Sequence, residues 1–223
     1  MKSNIKLLYI FAIILLANTF VKAQFNEGES YLDGSLMMNQ SKFGESLDDH
    51  NSSIGFSYGK FISKNTAKTL SLLVGYNNVS SDIGLYGNKS FSVSLNKGRE
   101  YYKTVFGKLG IYGGFSGGVR YNNQDLTSPN NQDPMSYTQR TANEIGISLD
   151  GGGGLVYRLN DKWAFTGSLV NLNLADVSYS WVDGKRMLTQ SGVPSSFSEK
   201  QFKYDFNPKV SFSFGIGIRY IIK

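Results

Sequence analysis

The sequence contains no cysteine, a single histidine (His50) and four prolines among its 223 residues. Without cysteine there is no disulfide framework, and with one histidine a zinc site lacks its usual ligands. Beyond the first residues, no stretch is long and apolar enough for a transmembrane helix. The sequence therefore predicts no metal site and no cofactor, and it contains no constellation typical of a catalytic centre.

The one long apolar run begins close to the N-terminus and has the features of an export signal. Lys2 and Lys6 provide the positive charge before the run, and residues 21–23 (Val-Lys-Ala) supply the small-residue pattern of a cleavage site. We predict a cleavable signal peptide at residues 1–23 and one mature domain at residues 24–223. The formal net charge is +6, but the basic residues are scattered and the chain is exported, so a nucleic-acid partner is not expected.

Apolar and polar residues alternate most clearly near the C-terminus. One face of this stretch would carry Val210, Phe212, Phe214, Ile216, Ile218 and Tyr220. The other face would carry Ser211, Ser213, Gly215, Gly217 and Arg219. A period of two over this length predicts a strand long enough to cross a bilayer at a tilt.

Similar alternation recurs in seven upstream stretches, which begin near Ser30, Ile54, Leu70, Phe91, Leu109, Glu144 and Trp163. In the last of these the phase slips near Val170, which predicts a β-bulge. Tyr, Phe, Gly, Ser and Asn dominate the composition, as is typical of strands and turns. The sequence therefore predicts eight strands, the first of which has the least regular pattern.

Short and long connectors alternate between these strands. The short ones are residues 63–68, 103–108 and 160–162, and the long polar ones are residues 42–51, 80–89, 122–140 and 182–205. Bacterial outer-membrane barrels have this layout, with short periplasmic turns and long extracellular loops. We predict an all-β, eight-stranded antiparallel up-and-down transmembrane β-barrel, with extracellular long loops and both termini in the periplasm.

The polar face of the predicted strands carries charged residues. An arginine that faces lipid at mid-membrane costs about 2–4 kcal/mol, so the polar face is expected to line the lumen. The predicted lumen charge network comprises Arg120, Glu144, Asp150, Arg158 and Arg219. These residues could line an ion pathway, but a salt-bridged filling is favoured, because an eight-stranded barrel has room for little beyond its side chains.

Several segments resemble the outer-membrane β-barrel proteins of Bacteroidota, a porin-like family whose barrel is similar to the OmpA-type transmembrane domain. The matching segments are residues 31–36, 54–61, 90–102 and 213–220. In the last segment, Ser213, Gly215, Ile218 and Tyr220 match the pattern that the barrel-assembly machinery reads in this class. The resemblance implies an integral protein of the Gram-negative outer membrane, surrounded by outer-membrane lipid and lipopolysaccharide and open to outer-membrane protein partners. Three residues follow the aromatic residue at which such chains commonly stop, and no peptidoglycan-binding domain follows the barrel.

Three functions remain open at the level of sequence. We favour a non-enzymatic barrel that serves as an envelope structural component or as a subunit of an outer-membrane assembly. The second is a lipid A-modifying enzyme that uses His50 as a base, with Asp49, Ser52 and Ser53 nearby. The third is a small-solute pore. The glycine run 151–154 does not predict a phosphate-binding loop, because neither Lys-Ser/Thr nor a helical pattern follows it.

The predicted cleavage site gives a direct test. The intact mass of the protein purified from cells is expected to correspond to a chain that begins at Gln24. Replacing Ala23 with Arg removes a small residue that signal peptidase requires, so the uncleaved precursor should accumulate. A mature protein that retains residues 1–23 would contradict the prediction.

Overall fold

The computed structural model describes residues 25–43, 47–81, 87–130, 133–187 and 195–223. The predicted signal peptide at residues 1–23 lies outside these ranges. No helix in the described part of the chain has the length and hydropathy needed to cross a membrane.

The described chain is almost entirely β-strand. The strands are β1 (Ser30–Phe43), β2 (Leu47–Ser63), β3 (Thr66–Ser81), β4 (Gly87–Phe106), β5 (Leu109–Asn130), β6 (Asp133–Arg158), β7 (Trp163–Met187), β8 (Ser195–Asp205) and β9 (Lys209–Ile222). From β1 to β8, each strand pairs antiparallel with the next. β9 pairs with β7 on one side and with β1 on the other, which closes the sheet into a ring.

The nine strands occupy eight positions in this ring. β8 and β9 both run antiparallel to β7, β8 beside Asp176–Arg186 and β9 beside Trp163–Asn173. They are therefore two halves of the eighth wall strand, interrupted at residues 206–208. The prediction of an all-β, eight-stranded antiparallel up-and-down barrel is confirmed.

The connections define two different ends of the barrel. At one end, here called the turn end, the chain reverses at residues 64–65, 107–108 and 159–162, where short turns are predicted. Residues 25–29 and the C-terminal Lys223 adjoin the same end, because β1 starts and β9 finishes there. The opposite end, here called the hairpin end, is formed by the β1–β2, β3–β4, β5–β6 and β7–β8 hairpins.

The prediction of long polar loops at the hairpin end is wrong. β5 and β6 remain paired up to Asn130 and Asp133, inside the predicted loop 122–140. β7 and β8 likewise pair through much of the predicted loop 182–205, and strands extend into residues 42–51 and 80–89. An antiparallel partner strand provides hydrogen bonds to the backbone N–H and C=O groups of a segment whether or not one face of that segment is apolar. A polar segment can therefore continue as a strand.

The predicted bulge near Val170 is confirmed. The β7–β9 register shifts between Ser168 and Val170, and the β6–β7 register shifts beside it, between Gly153 and Gly154. The glycine run 151–154 belongs to this irregular region. A Cβ atom on Gly153 would lie 2.8 Å from the carbonyl oxygen of Tyr112. The run therefore lets neighbouring backbones approach each other closely where the wall bends.

Side chains alternate between the two faces of the wall, and the outward face carries many exposed apolar side chains. Exposed outward residues include Leu72, Phe115, Ile147, Phe165 and Ile216. Among the inward positions are Asp33, Asn96, Arg120, Asp150 and Thr166. This arrangement is the reverse of a water-soluble barrel, in which apolar side chains fill the interior.

Contacts at the turn end secure the closure of the ring. The backbone N–H of Ile221 donates to the carbonyl of Lys162 at 2.7 Å. The Lys223 ammonium donates to the Asp161 carboxylate at 2.8 Å, and this hydrogen bond, with the lysine charge, holds the pKa of Asp161 below its usual value. The last residues of the chain are therefore fixed to the β6–β7 turn.

Candidate functional site: the lumen of the barrel

The most buried charge in the described part of the chain is the Arg219 guanidinium, in the lumen near the turn end. Its side chain is 3% exposed. Arg219 on β9 lies directly opposite Asp33 on β1 in the ladder, and its Nε donates to the Asp33 carboxylate at 2.9 Å. The ion pair therefore joins the two strands whose pairing closes the barrel.

The same guanidinium reaches across the lumen to β4. Its Nη2 lies 3.5 Å from the Glu100 carboxylate, and its Nη1 donates to the Tyr102 hydroxyl at 2.5 Å. The guanidinium carbon lies 3.8 Å from the centre of the Tyr31 ring. These residues, Tyr31, Asp33, Glu100, Tyr102 and Arg219, are called the Arg219 cluster below.

Hydrogen bonds from tyrosine hydroxyls stabilise the excess negative charge of the Arg219 cluster. It contains two carboxylates and one guanidinium, so one negative charge must be stabilised in another way. The hydroxyl of Tyr31 donates to Glu100 at 2.6 Å, and the hydroxyl of Tyr102 donates to the same carboxylate. The Tyr31 ring lies against the backbone of Gly59, where any Cβ atom would overlap it.

An aromatic stopper closes the turn end beneath the Arg219 cluster. It consists of Phe25, Phe61 and Tyr102. The rings of Phe25 and Phe61 stack with their centres 4.4 Å apart, and Phe25 meets Tyr102 edge-on at 5.3 Å. Phe25 comes from the segment before β1, so the chain folds back into its own barrel.

Backbone and charge contacts hold this segment in place. The Gly28 N–H donates to the Phe61 carbonyl at 2.9 Å, and the Phe61 N–H donates to the Glu29 carbonyl at 2.8 Å. Gly28 has a φ of +89°, which favours glycine and turns the chain inward. The Arg158 guanidinium lies 5.4 Å from the centre of the Phe25 ring and 3.7 Å from the Glu29 carboxylate.

A second charged group lies further toward the hairpin end. Arg120 on β5 pairs with Glu144 at 2.8 Å and with Asp176 at 3.1 Å. Asp150 takes no part in this group: it accepts hydrogen bonds from Ser148 at 2.5 Å and Asn173 at 3.1 Å.

A cavity of about 240 Å³ lies in the lumen beside these groups. Its lining is mostly small or polar and includes Ser57, Thr69, Ser71, Glu100, Ser116, Asp150 and Asn171. Toward the turn end the space is filled by the Arg219 cluster and the aromatic stopper. In the part of the chain that the structure describes, the lumen therefore contains a polar space, and side chains fill the lumen at the turn end.

The five predicted lumen residues do not form one network. Arg120 and Glu144 pair with each other, Asp150 bonds to neutral side chains, and Arg158 and Arg219 belong to separate groups near the turn end. Their acidic partners are Asp33, Glu100 and Asp176, together with Glu29. The alternation alone could have assigned Asp33 and Glu100 to the inward face, because each has an outward apolar or aromatic neighbour, Leu32 and Tyr101 respectively, but no sequence pattern marks Phe25.

The residues of the predicted assembly signal lie along β9. Gly215 forms the last ladder pair with β1, Ile218 faces outward, and Tyr220 packs against Trp163 with ring centres 4.9 Å apart. The side chain of Ser213 lies outside the described set. These residues therefore lie partly on the outer wall of the barrel and partly in the pairing between β9 and β1.

His50 lies on β2 near the hairpin end, with an exposed side chain. Its ladder neighbours are Gln40 and Asn78, and the side chain of Asp49 lies outside the described set. Within the described ranges, no group of three or more His, Cys, Asp or Glu residues is arranged to hold a metal ion.

The Arg219 cluster generates a stability prediction. Replacing Arg219 with Ala leaves two carboxylates buried without their counter-charge, so the free energy of unfolding should fall by about 3–5 kcal/mol. Urea unfolding in lipid vesicles, followed by tryptophan fluorescence, measures this loss. Arg120→Ala is the matched control: its side chain is 32% exposed, and the loss should be about 1 kcal/mol. Equal losses in the two variants would contradict the assigned role of Arg219.

Comparisons with known proteins bear on the fold. No protein-family model matches the chain, and no curated protein is similar to it in sequence. The outer-membrane protein OprG from Pseudomonas aeruginosa superposes with a TM-score of 0.50 at 16% identity, covering 90% of this chain and 99% of OprG.

Two further solved structures align with lower scores. A major outer-membrane protein from Thermus thermophilus has a TM-score of 0.48 at 12% identity, covering 88% of this chain and 100% of that protein. Ail, the attachment invasion locus protein of Yersinia pestis, has a TM-score of 0.44 at 16% identity, covering 88% of this chain and 99% of Ail. At these identities, the likeness to OprG establishes a shared β-barrel fold.

Proposed function

We propose that this chain is an integral outer-membrane β-barrel protein that acts by contact, as a non-enzymatic envelope component or a subunit of an outer-membrane assembly. The observation that carries the proposal is a barrel with many apolar side chains on its outer wall and a lumen that side chains fill at the turn end. Such a molecule can be held in a bilayer and contacted by partners, and the side chains at its turn end obstruct the passage of solute.

The outer wall supports the membrane location. Leucine, isoleucine and phenylalanine side chains are exposed on every side of the ring, a far larger apolar surface than a soluble monomer tolerates. A closed ring of strands also satisfies the backbone hydrogen bonds that hydrocarbon cannot. OprG, whose fold is similar, is an outer-membrane protein, and this supports the outer-membrane location.

The hairpin end is the proposed extracellular surface. On β5–β8, the outward residues nearer the turn end are apolar, and those at the hairpin end are polar. A cleft of about 740 Å³ at the hairpin end is lined by the polar residues Asp125, Thr127, Gln139, Thr141, Asp183, Lys185, Ser196 and Ser198. Polar residues on the outer face suit an aqueous surface rich in lipopolysaccharide. The β5–β6 and β7–β8 hairpins, which carry this cleft, are the proposed contact surfaces for outer-membrane partners.

Single-cysteine variants test the orientation cleanly because the chain has no native cysteine. Gln139→Cys at the hairpin end is expected to react with a membrane-impermeant maleimide in intact cells. Lys64→Cys, exposed in a turn at the other end, should react only after the outer membrane is permeabilised. The reverse labelling pattern would show that the barrel is inserted the other way round.

The filled lumen predicts that the protein does not conduct. In planar bilayers, the purified protein should give no steady conductance steps. Replacing Phe25, Phe61 and Tyr102 together with Ala removes the aromatic stopper and should produce them. The control variant Phe115→Ala/Phe165→Ala loses outward rings instead and should remain silent. Steady conductance of the unmodified protein would favour the small-solute pore.

The alternative of a lipid A-modifying enzyme depends on His50. If the barrel is not an enzyme, His50→Ala should leave the lipid A of the producing cells unchanged. Mass spectrometry of lipid A from strains that lack the protein, carry it or carry the variant makes the comparison. A lipid A species that requires both the protein and His50 would establish the enzyme.

A further inference from the structure

Four basic residues lie next to one another on the outward face of β2, β3 and β4, near the turn end. Lys60 pairs with Lys68, and Lys68 pairs with Arg99, so three consecutive positions across the ladder carry a positive charge. Lys97 occupies the next outward position on β4, opposite Leu70. All four basic side chains are exposed. Lys60, Lys68, Lys97 and Arg99 are called the basic patch below.

No carboxylate of the described ranges forms an ion pair with the basic patch. The ion pairs in these ranges involve other cations, namely Arg120, Arg158, Lys209, Arg219 and Lys223. Like charges that face each other across a ladder destabilise the pairing of the strands. A lysine or arginine on the lipid-facing wall is also costly at mid-membrane and is tolerated near an interface. An anion bound from outside the chain would lower both of these costs.

The position of the basic patch along the barrel corresponds to a membrane interface. Lys60 and Lys68 lie on either side of the turn at residues 64–65, and the members on β4 lie one strand further along, at a spacing of about 4.8 Å. Tyr58 and Tyr101 are exposed on the outward face beside the patch, and tyrosine rings concentrate at the headgroup level of a membrane. With the turn end in the periplasm, as proposed above, the patch lies among the headgroups of the periplasmic leaflet.

A groove of about 490 Å³ opens on the outer wall next to the basic patch. Its floor is at Gly117, which lies between Lys97 and Leu149 in the ladder. A Cβ atom added at Gly117 would meet only the Ser148 carbonyl oxygen, at 3.7 Å, so the groove is open because this position has no side chain. The side chains around the groove combine three cations with aromatic and apolar groups: Lys68, Lys97, Arg99, Tyr101, Phe115 and Leu149.

Charge and apolar surface follow one another along this part of the wall. The cations lie on the side of the groove that is nearer the turn end and β3. Toward the hairpin end, the next outward row of the ladder carries Leu95, Val119 and Ile147, all of them exposed. A ligand that matches this order has an anionic group at the membrane surface and an apolar chain that extends toward the membrane centre.

The patch and the groove together identify the class of ligand. Ammonium and guanidinium groups bind phosphate through charge-assisted hydrogen bonds, and basic pockets of membrane proteins bind lipid headgroups. A zwitterionic lipid would bring its own ammonium group to a site that already contains three cations, so a headgroup with a net negative charge fits better. The periplasmic leaflet of an outer membrane consists of glycerophospholipids, whereas lipopolysaccharide occupies the outer leaflet.

We propose that this groove is a binding site for one anionic glycerophospholipid of the periplasmic leaflet. The lipid phosphate binds Lys68, Lys97 and Arg99. One acyl chain lies over Gly117, against Leu149, and continues along the apolar wall toward the membrane centre. The site rests on the proposed function, because it requires a membrane-embedded barrel whose turn end is periplasmic.

The test measures lipid binding to the full-length mature protein in detergent by native mass spectrometry. The probes are phosphatidylglycerol and phosphatidylethanolamine with the same acyl chains, and lipid A. One phosphatidylglycerol molecule per barrel should remain bound, with an affinity about tenfold higher than that for phosphatidylethanolamine, since cations near the headgroups attract an anionic lipid. Lipid A should bind more weakly than phosphatidylglycerol, because the groove is opened by one missing side chain and lipid A carries several acyl chains.

Removing cations tests the headgroup contact. Lys97→Gln/Arg99→Gln should remove most of the preference for phosphatidylglycerol over phosphatidylethanolamine. The matched control is Lys64→Gln/Lys162→Gln, which removes the same charge from exposed positions in the turns at the same end of the barrel. This control should keep the preference, because neither lysine lines the groove.

Filling the groove tests the acyl-chain contact. Gly117→Leu should weaken phosphatidylglycerol binding about tenfold, because the new side chain overlaps the bound chain. Gly34→Leu is the matched control: Gly34 is exposed on the wall at β1, and a Cβ atom there has open space around it. The control should bind the lipid as the unmodified protein does. Both variants keep every cation, so a loss specific to Gly117→Leu separates binding in the groove from general attraction to a positive surface.

The outcomes distinguish this site from the proposed function. Equal binding of the two glycerophospholipids, equal loss in either pair of variants, or tighter binding of lipid A would overturn the site. None of these results bears on whether the barrel is embedded in a membrane. Failure of the folded protein to insert into lipid vesicles, or steady conductance in planar bilayers, would instead count against the proposed function.

Discussion

Antiparallel backbone pairing around a closed ring is the constraint on which the rest of the structure depends. Once β9 returns to β1, most strands have a neighbour on both sides, and the wall can expose apolar side chains outward without exposing unpaired peptide groups. Closure also fixes the inward face, because alternation leaves a strand no freedom to choose which residues it turns inward. The position of each charge in the lumen follows from the register of its strand.

The lumen shows how a narrow barrel accommodates those charges. Arg120 and Arg219, which lie at different levels, each meet two carboxylates, and Arg158 meets one near the turn end. Tyrosine hydroxyls supply the additional hydrogen bonds that a buried carboxylate needs. Small residues on the remaining inward positions leave space for these groups and for a polar cavity. The interior is thereby filled by polar contacts and, at the turn end, by aromatic rings, while the exterior carries many apolar side chains.

Sequence patterns predict those parts of this fold in which one face is apolar. Alternation located the eight wall positions, the turns and the bulge near Val170, since a period of two is visible when the two faces differ. The hairpin ends have polar residues on both faces, so the periodic signal disappears and β8 reads as a loop. The ion-pair partners are harder to predict from the sequence, because Asp33 and Arg219 are 186 residues apart and only the register of the paired strands brings them together. Phe25 precedes every strand, and its place in the lumen depends on a turn at Gly28.

Because of the Arg219 cluster, closure of the barrel depends on whether the chain has been synthesised to its last strand. Its members come from the first, fourth and last strands, so Asp33 and Glu100 are made long before the residue that neutralises them. A chain that stopped short of Arg219 would bring two carboxylates into a narrow lumen without a counter-charge, and the ring would resist closing. The last strand thus supplies both the final segment of wall and the charge that permits the wall to close, which favours complete chains over truncated ones at the moment of assembly.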